Sequence, residues 1–335
     1  MRYPQQDTQL MTSRNAPRKS DENVGTDRGE EEDARAAAVL RQFGSRASAA
    51  AYANLYDGSR PSARYFHSRL HAVLEALNAC RGGDLLDVGC GPGLLIRRIA
   101  NERPGDFRFT ACDWSQGMLA EAVSANRGVN VTPIVGRAEK LPMASGSFDA
   151  VLATGLLEYT NRPVALREIS RVVRPGGQVI LTMLNPLSPY RLFEWTLYWP
   201  FLRRLGNVEA LFGIPARKRH GAVVSGIQAT PAFRLAREMR SAGLQPHDII
   251  YYDLNAFVPP VDQWVRRSDR RWRDHPERTV SRGVGRLLGT GYLIAAQAGE
   301  RASVASASGH RARVLARTRL PEPRLSREGQ TVLGP

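Results

Sequence analysis

The sequence predicts an α/β domain, a doubly wound and mostly parallel sheet of seven strands with a helical N-terminal flap before it and a lid insertion within it. Three observations carry that expectation. Between residues 84 and 184 short apolar runs alternate with amphipathic segments of helix length, a pattern that implies right-handed crossovers and a sheet covered on both faces. The first run, Asp84-Leu85-Leu86-Asp87-Val88, ends in a cluster of glycines that opens a helix. Two more strand-like runs, residues 248–252 and 292–296, lie late in the chain and supply a terminal pair.

The elements follow in order. Tyr65, Leu70, Val73, Leu74 and Leu77 recur at helical spacing over residues 62–77 and lead into strand 84–88. Helix 92–101, strand 107–113, helix 115–126, strands 131–136 and 148–154, helix 163–173 and strand 178–184 complete the core pattern. Residues 186–230 form the insertion. Residues 1–34 and 299–335 are polar or Pro/Arg-rich and poor in large apolar side chains, so both ends are expected to be disordered. That leaves a flap over 35–80 and the main domain over 81–298.

The net charge of +15 invites a nucleic-acid reading. The only lysines, however, are Lys19, Lys140 and Lys218, and a phosphate-binding surface normally uses lysine beside arginine. Residues 1–34 hold five basic and eight acidic side chains and residues 299–335 hold seven and three, so +14 falls on the part expected to fold. Its densest groups are Arg203-Arg204 and Arg217-Lys218-Arg219-His220 in the insertion, and helix 263–278, where Asp269, Asp274 and Glu277 interleave with the arginines as on a salt-bridged solvent face. The three cysteines, Cys80, Cys90 and Cys112, have no close pair spacing, which disfavours a disulfide framework or a zinc site and suits a reducing compartment. No apolar run approaches the roughly 20 residues of a membrane span, and the first residues lack the apolar core of a signal peptide. A soluble, cytoplasmic protein is expected.

The residues that point to chemistry begin at Leu85-Leu86-Asp87-Val88-Gly89-Cys90-Gly91-Pro92-Gly93. Glycine there lets the chain turn sharply and lets a ligand approach the backbone, and free N–H groups at the helix start favour an anionic ligand group. A dinucleotide fingerprint needs glycine or alanine at position 94, where this chain has Leu94. The spacing is instead G-x-G-x-G with Asp87 two residues before the first glycine, which resembles motif I of the class I S-adenosyl-L-methionine (SAM)-dependent methyltransferases.

The resemblance continues in order. Ala111-Cys112-Asp113 is similar to the family's second strand, which ends in the ribose-hydroxyl ligand. Gly136-Arg137-Ala138-Glu139-Lys140-Leu141-Pro142 resembles its adenine-flanking segment, Phe148-Asp149-Ala150-Val151-Leu152-Ala153-Thr154 its fourth strand, and Arg171-Val172-Val173-Arg174-Pro175-Gly176-Gly177 the turn before its fifth. The resemblance implies a Rossmann-like methyltransferase fold of the quinone-biosynthesis and natural-product type, SAM as cofactor, and a cofactor site formed by Asp87, Gly89, Cys90, Gly91, Gly93, Asp113, Trp114, Ala138, Glu139 and Thr154. Each has a plainer competing role. Asp87 can tie down a turn, Asp113 can cap the next helix, Glu139 can be a solvated surface acid, and Cys90 suits a turn that simply needs a small residue.

Methyl transfer asks the protein to hold acceptor and methyl about 3 Å apart and exclude water, with a base where the acceptor carries a proton. Glu158 and Tyr159, just past the fourth strand, and His220 in the insertion are the candidate catalytic residues; capping, packing and surface roles compete with them. No acidic cluster with divalent-metal spacing occurs, so no metal site is assigned. Tyr190, Phe193, Trp195, Tyr198, Trp199 and Phe201 crowd the insertion, with Pro200 interrupting the stripe. An aromatic wall with a basic rim suits a small apolar or lipid-like acceptor, or contact with an anionic membrane surface. The expected activity is methyl transfer to oxygen or carbon. The alternatives are an RNA-directed methyltransferase, which lacks a recognisable RNA module, and a non-catalytic SAM- or nucleotide-binding scaffold. If Asp113 holds the ribose, Asp113→Ala weakens SAM binding by about 1–3 kcal/mol in a calorimetric titration.

Overall fold

The structure, a computed structural model, describes residues 45–56, 63–215, 228–258, 261 and 271–299. Helix α1 (Arg46–Ala53), capped by the Ser45 hydroxyl, and a short turn (Asn54–Tyr56) precede α2 (Ala63–Leu77). Then come β1 (Gly83–Val88), α3 (Leu94–Glu102), β2 (Phe107–Asp113), α4 (Gln116–Ala125), β3 (Val131–Val135), β4 (Phe148–Ala153), α5 (Arg162–Val172) and β5 (Val173–Leu184). The lid follows as α6 (Pro189–Phe193), a π-helical turn (Glu194–Tyr198) and α7 (Trp199–Leu211). Helix α8 (Ala232–Ser241), β6 (Leu244–Leu254), β7 (Val280–Ser281) and β8 (Gly289–Ala298) close the chain.

The sheet order is β3-β2-β1-β4-β5-β8-β6-β7; β1 to β5 pair in parallel, and β8, β6 and β7 are joined by antiparallel pairings. The eighth strand, absent from the sequence expectation, is the two-residue β7, too short to leave a periodic signal. Buried strands have two apolar faces, and successive side chains serve opposite ones. Leu86, Val151 and Leu181 pack with α5 and α8 residues such as Leu166, Ile169, Leu235 and Met239, while Leu85, Leu152 and Ile180 pack with Val73, Leu77, Ile96 and Ile99 of α2 and α3. Strand β3 has one neighbour, β2, so Pro133 sits where a missing N–H is tolerated.

Three expectations change. Strand β5 starts at Val173 rather than 178: Val173 pairs with Phe148 and Gln178 with Ala150, so Arg174-Pro175-Gly176-Gly177 is a bulge within the strand. Arg174 bridges Asp84 and Asp149 there, and Asp149 also accepts the Asp84 amide at 2.8 Å, which ties together the ends of β1 and β4 opposite the glycine turn. Pro200 does not break the lid, because the π-helical turn before it frees the carbonyl that its ring would strike. Of the expected helix 263–278, residues 263–270 lie outside the described residues; 271–274 form a turn and Pro276–Thr279 a 3₁₀ segment, with Pro276 unable to continue an α-helix. Residues 1–34 and 300–335, part of the flap and positions 216–227 of the insertion also lie outside.

Leu152 is fully buried on β4 between β1 and β5. Leu152→Ala should cost about 2–5 kcal/mol in urea denaturation, without a change in slope.

Candidate active site

The carboxyl ends of β1, β2 and β4 meet at the turn after β1. Gly89 and Cys90 donate to the Cys112 carbonyl (2.7 and 3.1 Å), Gly91 to Asp113 Oδ2 (3.0 Å) and Gly93 to the Cys90 carbonyl (3.1 Å). These four N–H groups are therefore engaged within the protein, and the expected free-amide anion cradle is not formed by them. The glycines serve different ends. A Cβ on Gly93, at φ +73°, would lie 2.9 Å from Ala122, so that glycine packs the turn onto α4. Gly91, at φ +53°, faces open space with only the Tyr52 ring at 3.9 Å among the described residues, which leaves the backbone accessible there. Cys90 is buried, its Sγ on the Gly91 carbonyl, and burial holds its thiol well above the usual range, which makes it a small, inert turn residue.

Asp87, the next-to-last residue of β1, is 1% exposed, and among the described residues neither carboxylate oxygen has a hydrogen-bond partner. Burial, with the charge of Asp113 beside it, pushes the Asp87 carboxyl up to about 8 against the opposing influence of Arg69. Burial also raises Asp113, offset by the amides it accepts from Ser115 (2.8 Å) and Gly91. The helix cap is the Ser115 hydroxyl, which accepts the Met118 amide at 3.1 Å; Asp113 links β2 to the glycine turn instead.

Trp114 is half-buried under the Arg137 guanidinium, 4.7 Å from the ring centroid, and Gly136 donates to the Asp113 carbonyl, which brings the loop after β3 beside the acid. Ala138 is buried in the core. Glu139 is not a free surface acid: its Oε1 accepts the Asn161 amide at 3.1 Å and its Oε2 lies 3.6 Å from Arg137. Thr154 is half-buried at the end of β4, followed by Gly155, whose N–H donates to Thr182.

Arg69 is the site residue that motif reading missed. It lies on α2 at 4% exposure, donates to the Tyr56 hydroxyl at 2.7 Å, and sits over the Tyr65 and Phe66 rings. A Cβ on Gly155 would overlap its Nη1, so glycine at the end of β4 makes room for the guanidinium. Among the described residues Arg69 makes no ion pair, although a buried cation normally has one. The available signal was its position in the stripe Tyr65, Phe66, Arg69, Leu70 and Val73, the buried face of an otherwise ordinary amphipathic helix.

Glu158 is buried nearby with Oε2 unpartnered; burial pushes its carboxyl up to about 7, opposed by Arg69, Arg191 and Arg162. Arg191 of the lid, paired with Glu194 at 2.5 Å, is close enough to bias both Glu158 and Tyr65. Tyr159 is half-buried and its amide donates to the Leu156 carbonyl, so the turn holds its backbone. His220 lies outside the described residues. The acids, Gly91 and Arg69 are brought together at the glycine turn, and Glu158 is buried close enough to Arg69 for the guanidinium to act on its charge.

This arrangement defines an α/β domain whose glycine turn gathers a buried carboxylate, a half-buried one and a buried guanidinium. A model of the methyltransferase domain matches residues 85–177. The chain is 37% identical over 171 residues to a demethylmenaquinone methyltransferase of Corynebacterium efficiens, covering 50% of this chain and 70% of that one. It is 38% identical over 117 residues to a malonyl-[acyl-carrier protein] O-methyltransferase of Hahella chejuensis, covering 35% and 40%. With a ubiquinone/menaquinone biosynthesis C-methyltransferase of Geobacter sulfurreducens it shares 33% over 146 residues, covering 42% and 56%. The chain thus spans about half the length of the first curated relatives it matches. Its fold matches a chain of the solved complex between the Haloferax volcanii Trm112 methyltransferase activator and a methyltransferase, with TM-score 0.52 and 19% identity, covering 76% of this chain and 97% of that one. The chain belongs to the class I SAM-dependent methyltransferases.

The family's cofactor fits the residues present. SAM carries a sulfonium, an ammonium, a ribose diol and a carboxylate; the orphaned Asp87 oxygens and Asp113 suit the first three, and the unpaired Arg69 suits the last. Because the folded pKa of Asp87 lies above its unfolded value near 3.9, its contribution to stability is full below that value and is lost as pH rises through about 8. Asp87→Asn should therefore melt higher than wild type at pH 9 without ligand, yet gain less from added SAM, as read by thermal scans of both proteins.

Proposed function

We propose that the chain transfers a methyl group from SAM to an oxygen or carbon of a small, apolar or lipid-like acceptor. The observation that carries the reading is the grouping of Asp87, Asp113 and the open Gly91 at the glycine turn with buried Arg69 and Glu158, on which Arg69 and the lid's Arg191 act electrostatically. In it, Asp113 holds the ribose hydroxyls, Asp87 the ammonium, Arg69 the carboxylate, and Trp114, Ala138 and Glu139 the adenine. The cofactor supplies an electrophilic methyl already activated as a sulfonium.

Glu158 is the general base of this reading. A carboxyl with a pKa near 7 is substantially ionised at neutral pH yet still basic enough to take a proton from an acidic hydroxyl or carbon acid. Its unpartnered Oε2 leaves one oxygen free to do so. Tyr159 borders the acceptor beside it. The surrounding tyrosines, half-buried Tyr65 and buried Tyr252, are held above the ordinary phenol range, so they stay neutral and act as wall and hydrogen-bond partners rather than as bases. An apolar acceptor fits the aromatic lining, and the printed names of the quinone-methylating relatives support that class. The setting in this reading is the cytoplasm, since acceptor, cofactor and free thiols are all compatible with it.

On any member of a quinol and phenol panel that supports turnover, kcat/KM should rise with pH and level off above about pH 7. Glu158→Gln should lower kcat by about 10²–10⁴-fold and abolish that rise. A variant with full activity and the wild-type pH profile would remove Glu158 from the base role.

A further inference from the structure

Helix α7 is amphipathic in the inverted sense. Its one fully buried residue is Gly206, and the opposite side should therefore be polar. At 100° per residue, Phe201, Val208 and Phe212 instead fall within an arc of about 40° on that outward side, with Leu211 at its edge. Phe201 is 62% exposed, Leu211 87% and Phe212 81%, and Leu197 of the π-helical turn extends the same face. Isolated exposed apolar residues are ordinary; a contiguous stripe of large ones marks a surface that something covers.

The charges around the stripe select what covers it. Arg203 and Arg204 are exposed on the same helix, while its acids are withdrawn: Glu194 is buried against Arg191, and Glu209 is half-buried. In sequence, Arg217-Lys218-Arg219-His220 begins six residues after the helix's last residue. A second copy of the chain packed on this face would set arginine against arginine. We propose that the outward face of the lid docks on the surface of an anionic phospholipid bilayer, with Leu197, Phe201, Val208, Leu211 and Phe212 entering the headgroup boundary and the arginines meeting lipid phosphates. No helix among the described residues is long and apolar enough to cross a membrane, so the contact is peripheral. The proposal stands apart from the acceptor reading, because it concerns the outer face of the lid and its test involves no turnover.

The test is co-sedimentation of the full chain with vesicles of phosphatidylcholine alone and with one-quarter phosphatidylglycerol. Binding should be at least about tenfold stronger to the anionic vesicles and should weaken as salt is raised. Phe201→Ser/Phe212→Ser should lose about tenfold or more in binding to the anionic vesicles, and Arg203→Gln/Arg204→Gln should flatten the salt dependence. Phe233→Ser, at an aromatic exposed on α8, should change neither. Equal binding to both vesicles, a Phe233→Ser loss matching that of the lid variant, or a concentration-dependent dimer abolished by Phe201→Ser/Phe212→Ser without vesicle binding would each overturn the proposal.

Discussion

A carboxylate buried at the end of a central strand without one hydrogen bond is the constraint around which this molecule is organised. Burial and a neighbouring acid both disfavour the charge of Asp87, and Arg69, which favours it, makes no ion pair with it among the described residues. The sheet nevertheless holds it in place. Parallel register brings Asp113 two residues beyond its partner in β2, and the glycine turn spends its amides on β2 rather than on Asp87. Such a residue makes sense as a group whose partner arrives with the ligand.

The same logic extends to the groups around it. Arg69 is held by phenol hydroxyls and ring faces rather than by a carboxylate, and Gly155 keeps space for it at the end of β4. In the proposed reading, Asp87 and Asp113 with Arg69 suit the charged groups of an amino acid joined to a nucleoside. Glu158 is buried near Arg69 with its carboxyl raised to about 7, which is what the proposed base role requires. Burial acts in one direction on both kinds of acid: it keeps the tyrosines neutral and raises the Asp87 and Glu158 carboxyls into the neutral range, where they can change charge.

Much of this was legible in the sequence. The strands β1 to β4 are short apolar runs bounded by turn residues, a local signal, and the acid-glycine pattern at 87–93 carries both the turn and its chemistry in seven residues. What escaped depends on contacts far apart in the chain. Arg69 is an ordinary arginine until α2 packs across β4, and the bulge that lets Arg174 join Asp84 to Asp149 needs the register of three strands. Pro200 read as a break because the accommodating π-helical turn has no compositional mark. The hold on Glu139 was not legible either, because Asn161, whose amide it accepts, comes from another loop.

The central claim is that the site is built for the charged amino-acid portion of its cofactor as much as for the nucleoside. It is tested most directly by comparing, in one calorimetric series at pH 7.5, the affinities of S-adenosylhomocysteine and of 5′-methylthioadenosine, which keeps the nucleoside and thioether but lacks the ammonium and carboxylate. Losing two charged hydrogen-bonding groups should weaken binding by roughly 10²–10⁴-fold. Equal affinities would contradict the account, because Asp87 and Arg69 would then be buried for a reason other than the ligand.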